Sequence, residues 1–130
     1  MKAVLVYLIL VAKLICADYR GLIDLDGDNW DQVVNNGKVV VEFYAPWCPH
    51  CRALEPEYIR VADYFRDNSK IAIARINCSE HRKKCHQYRI RSYPKIKFFN
   101  QGGNGEDVRV RKRDFDSIRQ WIDHKLQQLG

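Results

Sequence analysis

The stretch VVVEFYAPWCPHCRALEPEY, from Val39 to Tyr58, decides the fold. It begins with an apolar run typical of a buried strand, passes through a Pro-Trp turn and continues with helical spacing. Cys48 and Cys51 fall in the first turn of that helix, and Pro49 takes a position where a missing N–H leaves nothing unpaired. The sequence therefore predicts a strand, a tight turn and a helix whose N-terminus carries two thiols.

The chemistry expected of the two cysteines follows from that placement. Unpaired N–H groups and the positive end of the helix dipole stabilise an anion, so a thiol there ionises more easily. We expect Cys48 to be the exposed nucleophile and Cys51, one turn further in, to resolve the mixed disulfide that forms at Cys48. His50 lies between them, and its imidazole would stabilise the thiolate and make the disulfide a stronger oxidant.

This stretch closely resembles the thioredoxin superfamily, and specifically the catalytic domain of protein disulfide isomerases, whose usual form is FYAPWCGHC followed by a Pro-Glu-Tyr helix. Pro49 replaces the usual glycine and gives the CPHC sequence that is also found in strongly oxidising periplasmic thiol oxidases. The resemblance runs from about Leu22 to Lys125. It implies an α/β thioredoxin fold, with a mixed central β-sheet flanked by helices on both faces, and thiol–disulfide exchange with client proteins.

The resemblance also implies where a client peptide binds. Tyr93–Pro94 matches the family's cis-proline loop, in which the residue before proline lies against the active-site cysteines and leaves an unpaired backbone edge. An extended client segment can add to such an edge, and Trp47 would lie at the rim of the same surface. The alternative is that Pro94 merely begins an edge strand.

Three charged residues receive roles in the same way. Glu42 is a carboxylate inside an apolar strand, so burial should raise its pKa, and in the family this position relays a proton to or from the resolving cysteine. Arg75 matches the lysine that usually pairs with that carboxylate. Arg91 matches a mobile arginine that lowers the pKa of the resolving cysteine. The alternative for both arginines is an ordinary salt bridge or a solvated surface charge.

Cys78 and Cys85 form a second pair, with six residues between them. A zinc site would need about two to four, and the strand–turn–helix context of the first pair favours redox chemistry, so we expect no metal and no cofactor. The resemblance implies a structural disulfide between Cys78 and Cys85, with a second redox centre as the alternative. The glycosylation sequon that begins at Asn77 would then stay unused.

The remaining elements follow from periodicity and turn signals. We predict a strand at 21–25, a short helix at 30–34 capped by Asp26 or Asp28, a strand at 38–44, a helix from Cys48 to about Phe65, a strand at 71–76, a helix at 79–88, a hairpin of 96–99 with 108–110, and a final helix capped by Asp114. Strands and helices alternate first, and a hairpin and a helix close the fold, which is the thioredoxin pattern.

The first residues indicate a leader and not part of the fold. A positive start and ten apolar residues from Ala3 to Ala12 precede a small residue at Ala17, which predicts a signal peptide at 1–17 and a thioredoxin domain at 18–130. An uncleaved membrane anchor is the alternative, although the apolar run is short for one. Cys16 would leave with the signal, so that four cysteines, or two pairs, remain in an oxidising compartment.

These features predict a domain of the secretory pathway, in the endoplasmic reticulum lumen or secreted. The expected partners are cysteine-containing clients and a thiol–disulfide redox partner such as glutathione or an oxidase. We expect a monomer with no membrane segment after cleavage.

A basic stretch is the last notable feature. Residues 82–113 carry eleven Lys and Arg against two acids, Glu106 and Asp107. No nucleic-acid recognition motif accompanies them, so a solvated face or a mild preference for acidic client segments explains them better. The main functional prediction is a disulfide oxidase or isomerase. The alternatives are a disulfide reductase and a non-catalytic module that holds peptides at the cis-proline surface.

Overall fold

The computed structural model describes residues 2–6 and 21–130. The predicted signal cleavage after Ala17 and the place of Cys16 lie outside the described residues. Along the chain, the elements of the domain are β1 (Leu22–Leu25), α1 (Trp30–Val34), β2 (Lys38–Tyr44), α2 (Pro49–Tyr64), β3 (Ala72–Asn77), α3 (Arg82–Gln87), β4 (Lys95–Asn100), β5 (Glu106–Asp107) and α4 (Phe115–Leu129). In the described ranges, no helix is both long enough and apolar enough to cross a membrane.

The strands form one mixed sheet in the order β1-β3-β2-β4-β5. The first three of these strands run parallel, and β4 and β5 are antiparallel to their neighbours. The central strand β2 is buried from Val39 to Phe43, because both faces of the sheet are covered. The mixed α/β architecture predicted from the sequence is confirmed.

Helices cover both faces of the sheet, as predicted. On one face, Leu54 and Tyr58 of α2 and Ile118 of α4 pack against Val40. On the other face, Trp30 of α1 belongs to a separate cluster of buried side chains with Val34, Phe43, Phe99, Cys78 and Cys85. The sheet is thus held between two apolar layers, and the carboxyl end of β2 is free to carry the site.

The helix termini agree only in part with the sequence. Asp114 caps α4 as predicted, since its side chain accepts a hydrogen bond from the Ser117 N–H at 2.9 Å. The predicted cap of α1 is wrong, because the residue at its N-cap is Asn29 and not Asp26 or Asp28. Asp26 Oδ1 instead accepts from the N–H groups of Asp28 and Asn29, both at 2.8 Å, and so stabilises the turn before the helix.

The hairpin also differs from the prediction. Pairing with β4 involves Glu106 and Asp107, directly after the Gly-rich turn, and not the predicted strand 108–110. Val108 donates one further backbone hydrogen bond to Ile96, but its side chain packs into the core on the α2 and α4 face. The alternating apolar residues at 108–110 therefore reflect packing of Val108 against the helices, and not pairing of this segment as a strand.

The predicted helix at 79–88 is shorter in the structure. The side chain of Asn77 accepts hydrogen bonds from the N–H and the hydroxyl of Ser79, and its carbonyl accepts from the N–H groups of Glu80 and His81. This turn uses the residues that the prediction assigned to the first helical turn. As a result, α3 begins only at Arg82.

Candidate active site

Cys48 is the N-cap residue of α2. Its backbone is extended, with φ −79° and ψ 121°, and its Sγ accepts a hydrogen bond from the backbone N–H of Cys51 at 3.4 Å. Pro49 follows in the first turn, where the absent N–H leaves no unpaired donor. Both cysteines are free thiols. One sulfur thus lies at the start of the helix and the second lies one turn further along it, as the strand–turn–helix prediction expected.

The prediction that Cys48 is exposed is wrong, because the residue retains only 6% of its accessible surface. Ala45 and Cys51 form a small buried cluster with it, and Tyr93 packs against that cluster. Its Sγ lies 3.7 Å from the carbonyl oxygen of Tyr93. The sulfur is nevertheless just beneath the surface, since the adjoining Trp47 is 66% exposed.

The two thiols have opposite pKa shifts. The pKa of Cys48 is lowered, first by a hydrogen bond from the Cys51 side chain and then by the backbone N–H groups of Cys51 and His50, with a smaller contribution from the positive charge of Arg113. Burial raises the pKa of Cys51 to about 12. The outer sulfur is therefore the one that ionises, and the inner one holds its proton.

The cis-proline loop lies directly against the outer sulfur. The Tyr93–Pro94 bond is cis, and the Tyr93 carbonyl is the group that approaches Cys48 Sγ. The ring of Tyr93 meets the exposed Trp47 edge to face, with 6.0 Å between centroids. Tyr93, with its cis bond to Pro94, and Trp47 thus lie beside Cys48, and their role in client binding remains a prediction.

Glu42 lies beneath the inner cysteine. It is 3% exposed, and burial raises its pKa to about 7, although the positive charge of Arg75 lowers it in part. A cavity of about 250 Å³ is lined by Glu42, Cys51, Glu55 and Arg75, among others. This cavity connects the buried carboxylate and the inner thiol with the surface, so that water in it could carry a proton between them.

The predicted pairing of Arg75 with Glu42 is wrong in its details. The register aligns Asp24, Arg75 and Glu42 across three adjacent strands, but the guanidinium forms ion pairs with Asp24 at 2.7 Å and with Glu55 at 3.5 Å. Those two carboxylates are exposed, whereas Glu42 is buried. Arg75 therefore acts on Glu42 only through its charge.

Arg91 and His50 are not held in the site. Arg91 is exposed on the loop before Tyr93 and lines a different cavity from the one beneath Cys51. The imidazole of His50 is also on the surface and makes no hydrogen bond to any residue of the described ranges, so only its backbone N–H acts on Cys48. The roles predicted for these two side chains remain predictions.

Two residues of the site were missed in the sequence. Glu55 lies one helical turn after Cys51, so the i, i+4 spacing on a predicted helix could have placed both on one face. Arg113 acts on Cys48 from the loop before α4. No local signal identifies it, because its place depends on how the hairpin and the last helix fold back.

The second cysteine pair forms the disulfide that the resemblance implied. Cys78 and Cys85 are bonded, with 5.7 Å between their Cα atoms, and both are buried. The bond joins the end of β3 to α3. Neither sulfur is then available as a ligand, and no group of three or more His, Cys, Asp or Glu in residues 2–6 and 21–130 could hold a metal ion.

Comparisons with known proteins agree with this geometry. A family model described as Thioredoxin matches residues 21–124. The protein disulfide-isomerase of Gallus gallus is 35% identical over an alignment of 131 positions, gaps included, which covers 93% of this chain and 25% of the relative. A thioredoxin domain-containing protein 5 homolog of Drosophila melanogaster is 32% identical over 111 residues, which cover 84% of this chain and 26% of the relative.

Solved structures give the same result. Human ERp44 form I superposes with a TM-score of 0.75 at 27% identity over 80% of this chain and 29% of its own. The Trx4 domain of ERdj5 superposes with a TM-score of 0.70 at 25% identity over 84% of this chain and 98% of its own. The chain thus spans about a quarter of the two full-length relatives but nearly the whole of an isolated domain. From its fold, its paired cysteines and these matches, we conclude that the chain belongs to the thioredoxin family.

Proposed function

We propose that this domain is a thiol–disulfide oxidoreductase that oxidises or isomerises cysteine pairs of client proteins through Cys48 and Cys51. One observation carries the proposal. Cys48 Sγ accepts the backbone N–H of Cys51 at 3.4 Å at the start of α2, and hydrogen bonds from Cys51 and His50 lower the pKa of this outer thiol, whereas burial raises the pKa of Cys51 to about 12. An outer sulfur that leaves easily as a thiolate, backed by an inner thiol, is what exchange through a mixed disulfide requires.

The first step starts from the Cys48–Cys51 disulfide. A client thiolate attacks Cys48 Sγ and forms the mixed disulfide, while the electron pair of the broken S–S bond goes to the sulfur of Cys51. That sulfur takes up a proton, because burial raises its pKa to about 12. Glu42 is a buried acid with a pKa of about 7, and the cavity that it shares with Cys51 gives the proton a path.

The second step releases the product. A second client thiolate attacks the client sulfur of the mixed disulfide and expels Cys48 as a thiolate, which the N–H and the thiol of Cys51 stabilise. Two electrons have then passed from the client to the domain. An external oxidant must take these electrons to restore the Cys48–Cys51 bond, and either glutathione disulfide or an oxidase enzyme could be that oxidant.

The client would bind at the cis-proline loop. In the disulfide state Cys48 has no S–H to donate, so the Tyr93 carbonyl next to it can accept a backbone hydrogen bond from an extended segment, and the exposed Trp47 offers an apolar contact beside it. We expect the client thiolate to approach Cys48 from this surface, because Trp47 and Pro49, the chain neighbours of Cys48, are exposed.

Oxidation of a reduced client tests the proposal. We expect Cys48→Ala to abolish turnover, whereas Cys51→Ala should still attack client disulfides and accumulate mixed disulfides that non-reducing gels and mass spectrometry detect. Mixed disulfides at Cys51 in the Cys48→Ala variant would reverse the assigned roles. Wild-type activity in both variants would rule out the function.

The compartment and the partners belong to the same proposal. The apolar leader and the disulfide between Cys78 and Cys85 support an oxidising compartment of the secretory pathway, as endoplasmic reticulum protein or as secreted protein. We expect the domain to act as a monomer on cysteine-containing clients, with glutathione or an oxidase as redox partner. Analytical ultracentrifugation of the processed chain tests the monomeric state. Comparison of the amounts of protein inside cells and in the medium tests whether it is retained or secreted.

A non-catalytic module that holds peptides is the second candidate, and the 6% exposure of Cys48 favours it. Equilibration with mixtures of reduced and oxidised glutathione distinguishes the two. A Cys48–Cys51 pair that exchanges within the range of these buffers supports the enzyme. A pair that stays in one state across the whole range supports the binding module.

A further inference from the structure

A second, larger cavity lies beside the cis-proline loop. It has a volume of about 560 Å³, within the range of about 300–1,000 Å³ that is common for binding sites. We call it the basic groove, because its charged lining consists of Arg89, Arg91, Lys95 and Lys97, with Asp107 as the single acid. The groove thus carries a net charge of three positive units.

The charges in the basic groove are not all paired. The carboxylate of Asp107 lies 3.0 Å from the ammonium of Lys95 and 3.0 Å from that of Lys97, and Arg109 lies 4.0 Å away, so this one carboxylate is already shared among three cations. Arg89 and Arg91 form no ion pair with any residue of 2–6 or 21–130, and both are exposed. Two guanidinium groups, which bind carboxylates in a bidentate manner, are therefore available to a ligand.

The groove is continuous with the proposed client site. Ser92 and Lys95, which line it, flank the Tyr93–Pro94 bond in the chain. Tyr93 in turn packs beside Cys48 and accepts from its sulfur. A segment that adds to the backbone at Tyr93 would therefore carry its neighbouring residues into or past the groove.

The arginine side of the groove is also fixed in place. The N–H of Arg89 donates to the carbonyl of His86 in α3 at 2.9 Å, and the N–H of Ile90 donates to the carbonyl of Cys85 at 3.1 Å. Cys85 is itself bonded to Cys78 at the end of β3. The disulfide thus anchors the loop that presents the arginines, which reduces the entropy lost when a ligand binds.

From these observations we propose that the basic groove binds an acidic segment of the client, with carboxylates close to the reacting cysteine paired to Arg89 and Arg91. The inference rests on the oxidoreductase function proposed above and names the class of client that it prefers. A peptide fits the observations better than a nucleic acid, because the groove adjoins the Tyr93–Pro94 bond beside Cys48, where a client cysteine must come to react. Its one aromatic residue, Tyr88, is packed against Trp30 in the core and offers no free face for a base.

The test uses two reduced peptides of equal length that contain the same pair of cysteines. In one, glutamates flank the cysteines, and in the other glutamines replace them. At low salt we expect the oxidised domain to react with the glutamate peptide about fivefold faster in kcat/KM, because each exposed ion pair contributes a modest amount. Raising the NaCl concentration to about 0.5 M should remove most of this preference by screening.

Variants at one position locate the preference. Arg89→Gln should lower the ratio of glutamate-peptide to glutamine-peptide rates about threefold, whereas Arg89→Lys should retain most of it, since the charge remains. Arg89 is chosen because Arg91 also has a predicted role in catalysis. The matched control is the Lys38→Gln/Lys70→Gln double variant. These two lysines line a cavity at the opposite end of the sheet, so its ratio should equal that of the wild type.

A binding experiment without reaction distinguishes failure of the groove proposal from failure of the proposed oxidoreductase function. A cysteine-free glutamate peptide should shift the NMR resonances of Arg89 and its loop, and the matching glutamine peptide should not. If neither cysteine peptide is oxidised but this shift occurs, the proposed enzymatic function fails and the groove stands. If both are oxidised at equal rates, the groove proposal is overturned and the function stands. A single-stranded oligonucleotide of equal charge that binds more tightly than the glutamate peptide would also overturn it.

Discussion

At the scale of single residues, burial and hydrogen bonding together determine which groups hold protons. Cys48 and Cys51 are identical side chains three positions apart, yet the outer one has a lowered pKa and the inner one a pKa of about 12. Glu42 is the buried carboxylate beside them, and its pKa of about 7 lets it exchange protons near neutrality. An ordinary surface carboxylate would be ionised at that pH and could not serve as an acid.

Replacing Glu42 with glutamine should stabilise the protein at alkaline pH. Burial raises the pKa of Glu42 from 4.5 to about 7, so the folded state binds the extra proton and loses stability as the pH rises between these values. The difference amounts to about 3 kcal/mol at most. Urea unfolding should therefore show Glu42→Gln more stable than the wild type at pH 8.5, with the advantage much reduced at pH 4.5.

The same substitution should slow the chemistry. Loss of the internal acid should reduce the rate at which the mixed disulfide forms and resolves by about a hundredfold, a typical contribution of general acid–base catalysis. Stopped-flow measurement of single-turnover client oxidation gives this rate. An unchanged rate together with the expected gain in stability would show that Glu42 is buried but takes no part in proton transfer.

At the scale of secondary structure, the strand register supports the site. Parallel pairing aligns Asp24, Arg75 and Glu42 in one row, and α2 adds Glu55 above it. The guanidinium of Arg75 forms ion pairs with the exposed carboxylates of Asp24 and Glu55. Glu42 lies opposite Arg75 on the neighbouring strand but forms no ion pair with it. The row thereby sets the electrostatic potential at Glu42 without forming a direct ion pair with it.

Changes in this row should shift the pKa of Glu42 in opposite directions. Removing the negative charge by Glu55→Gln should lower it, and removing the positive charge by Arg75→Gln should raise it, since these are the charges that act on Glu42. The pH dependence of the carboxyl resonance, measured by ¹³C NMR, reports both shifts. Shifts of the same sign in the two variants would contradict this description of the row.

The turn before α1 offers a test that distinguishes two neighbouring aspartates. Asp26→Ala removes the acceptor for two backbone N–H groups and should destabilise the protein by about 1–2 kcal/mol. Asp28→Ala is the control, because the side chain of Asp28 accepts no hydrogen bond in the described structure, and it should cost less than about 0.5 kcal/mol. Urea denaturation midpoints of the two variants give their losses of stability. Equal losses would contradict the conclusion that Asp26, and not Asp28, stabilises this turn.

The sequence predicts elements better than contacts. Central strand β2 and helix α2 are found where the apolar run and the helical spacing placed them, because many residues contribute to each pattern. The hairpin was misplaced at Val108, whose apolar side chain reports burial but not its partner. The low exposure of Cys48 and the ion pairs of Arg75 escaped prediction for a related reason, since they depend on groups distant in the chain. Tyr93 is 45 residues from Cys48, and Asp24 and Glu55 are 51 and 20 residues from Arg75.

At the scale of the whole molecule, the functional features lie at one end of the sheet. Cys48, the cis-proline loop and the basic groove are contiguous, and the loop that forms one wall of the groove is anchored by the Cys78–Cys85 disulfide. The redox pair and the structural pair thus have separate tasks. One exchanges electrons with clients, and the other holds the surface on which clients would bind.

Removal of the structural disulfide tests this division. The Cys78→Ser/Cys85→Ser variant should lose about 2–3 kcal/mol of stability, the amount expected for so short a loop. It should retain a reactive Cys48 but lose part of its preference for acidic clients, because the loop of Arg89 is no longer anchored. Thermal unfolding and the peptide rate ratio measure the two effects. Loss of Cys48 reactivity in a variant that remains folded would show that the two pairs are not independent.

The central claim is that the helix N-terminus and the inner thiol make Cys48 the nucleophile. Iodoacetamide labelling of the reduced wild-type domain over a range of pH, with mass spectrometry to locate the label, tests it directly. We predict that Cys48 is alkylated with a midpoint below the ordinary thiol pKa of 9.0, and that Cys51 stays unlabelled through the same range. A midpoint for Cys48 at or above 9.0, or labelling of Cys51 first, would contradict the account.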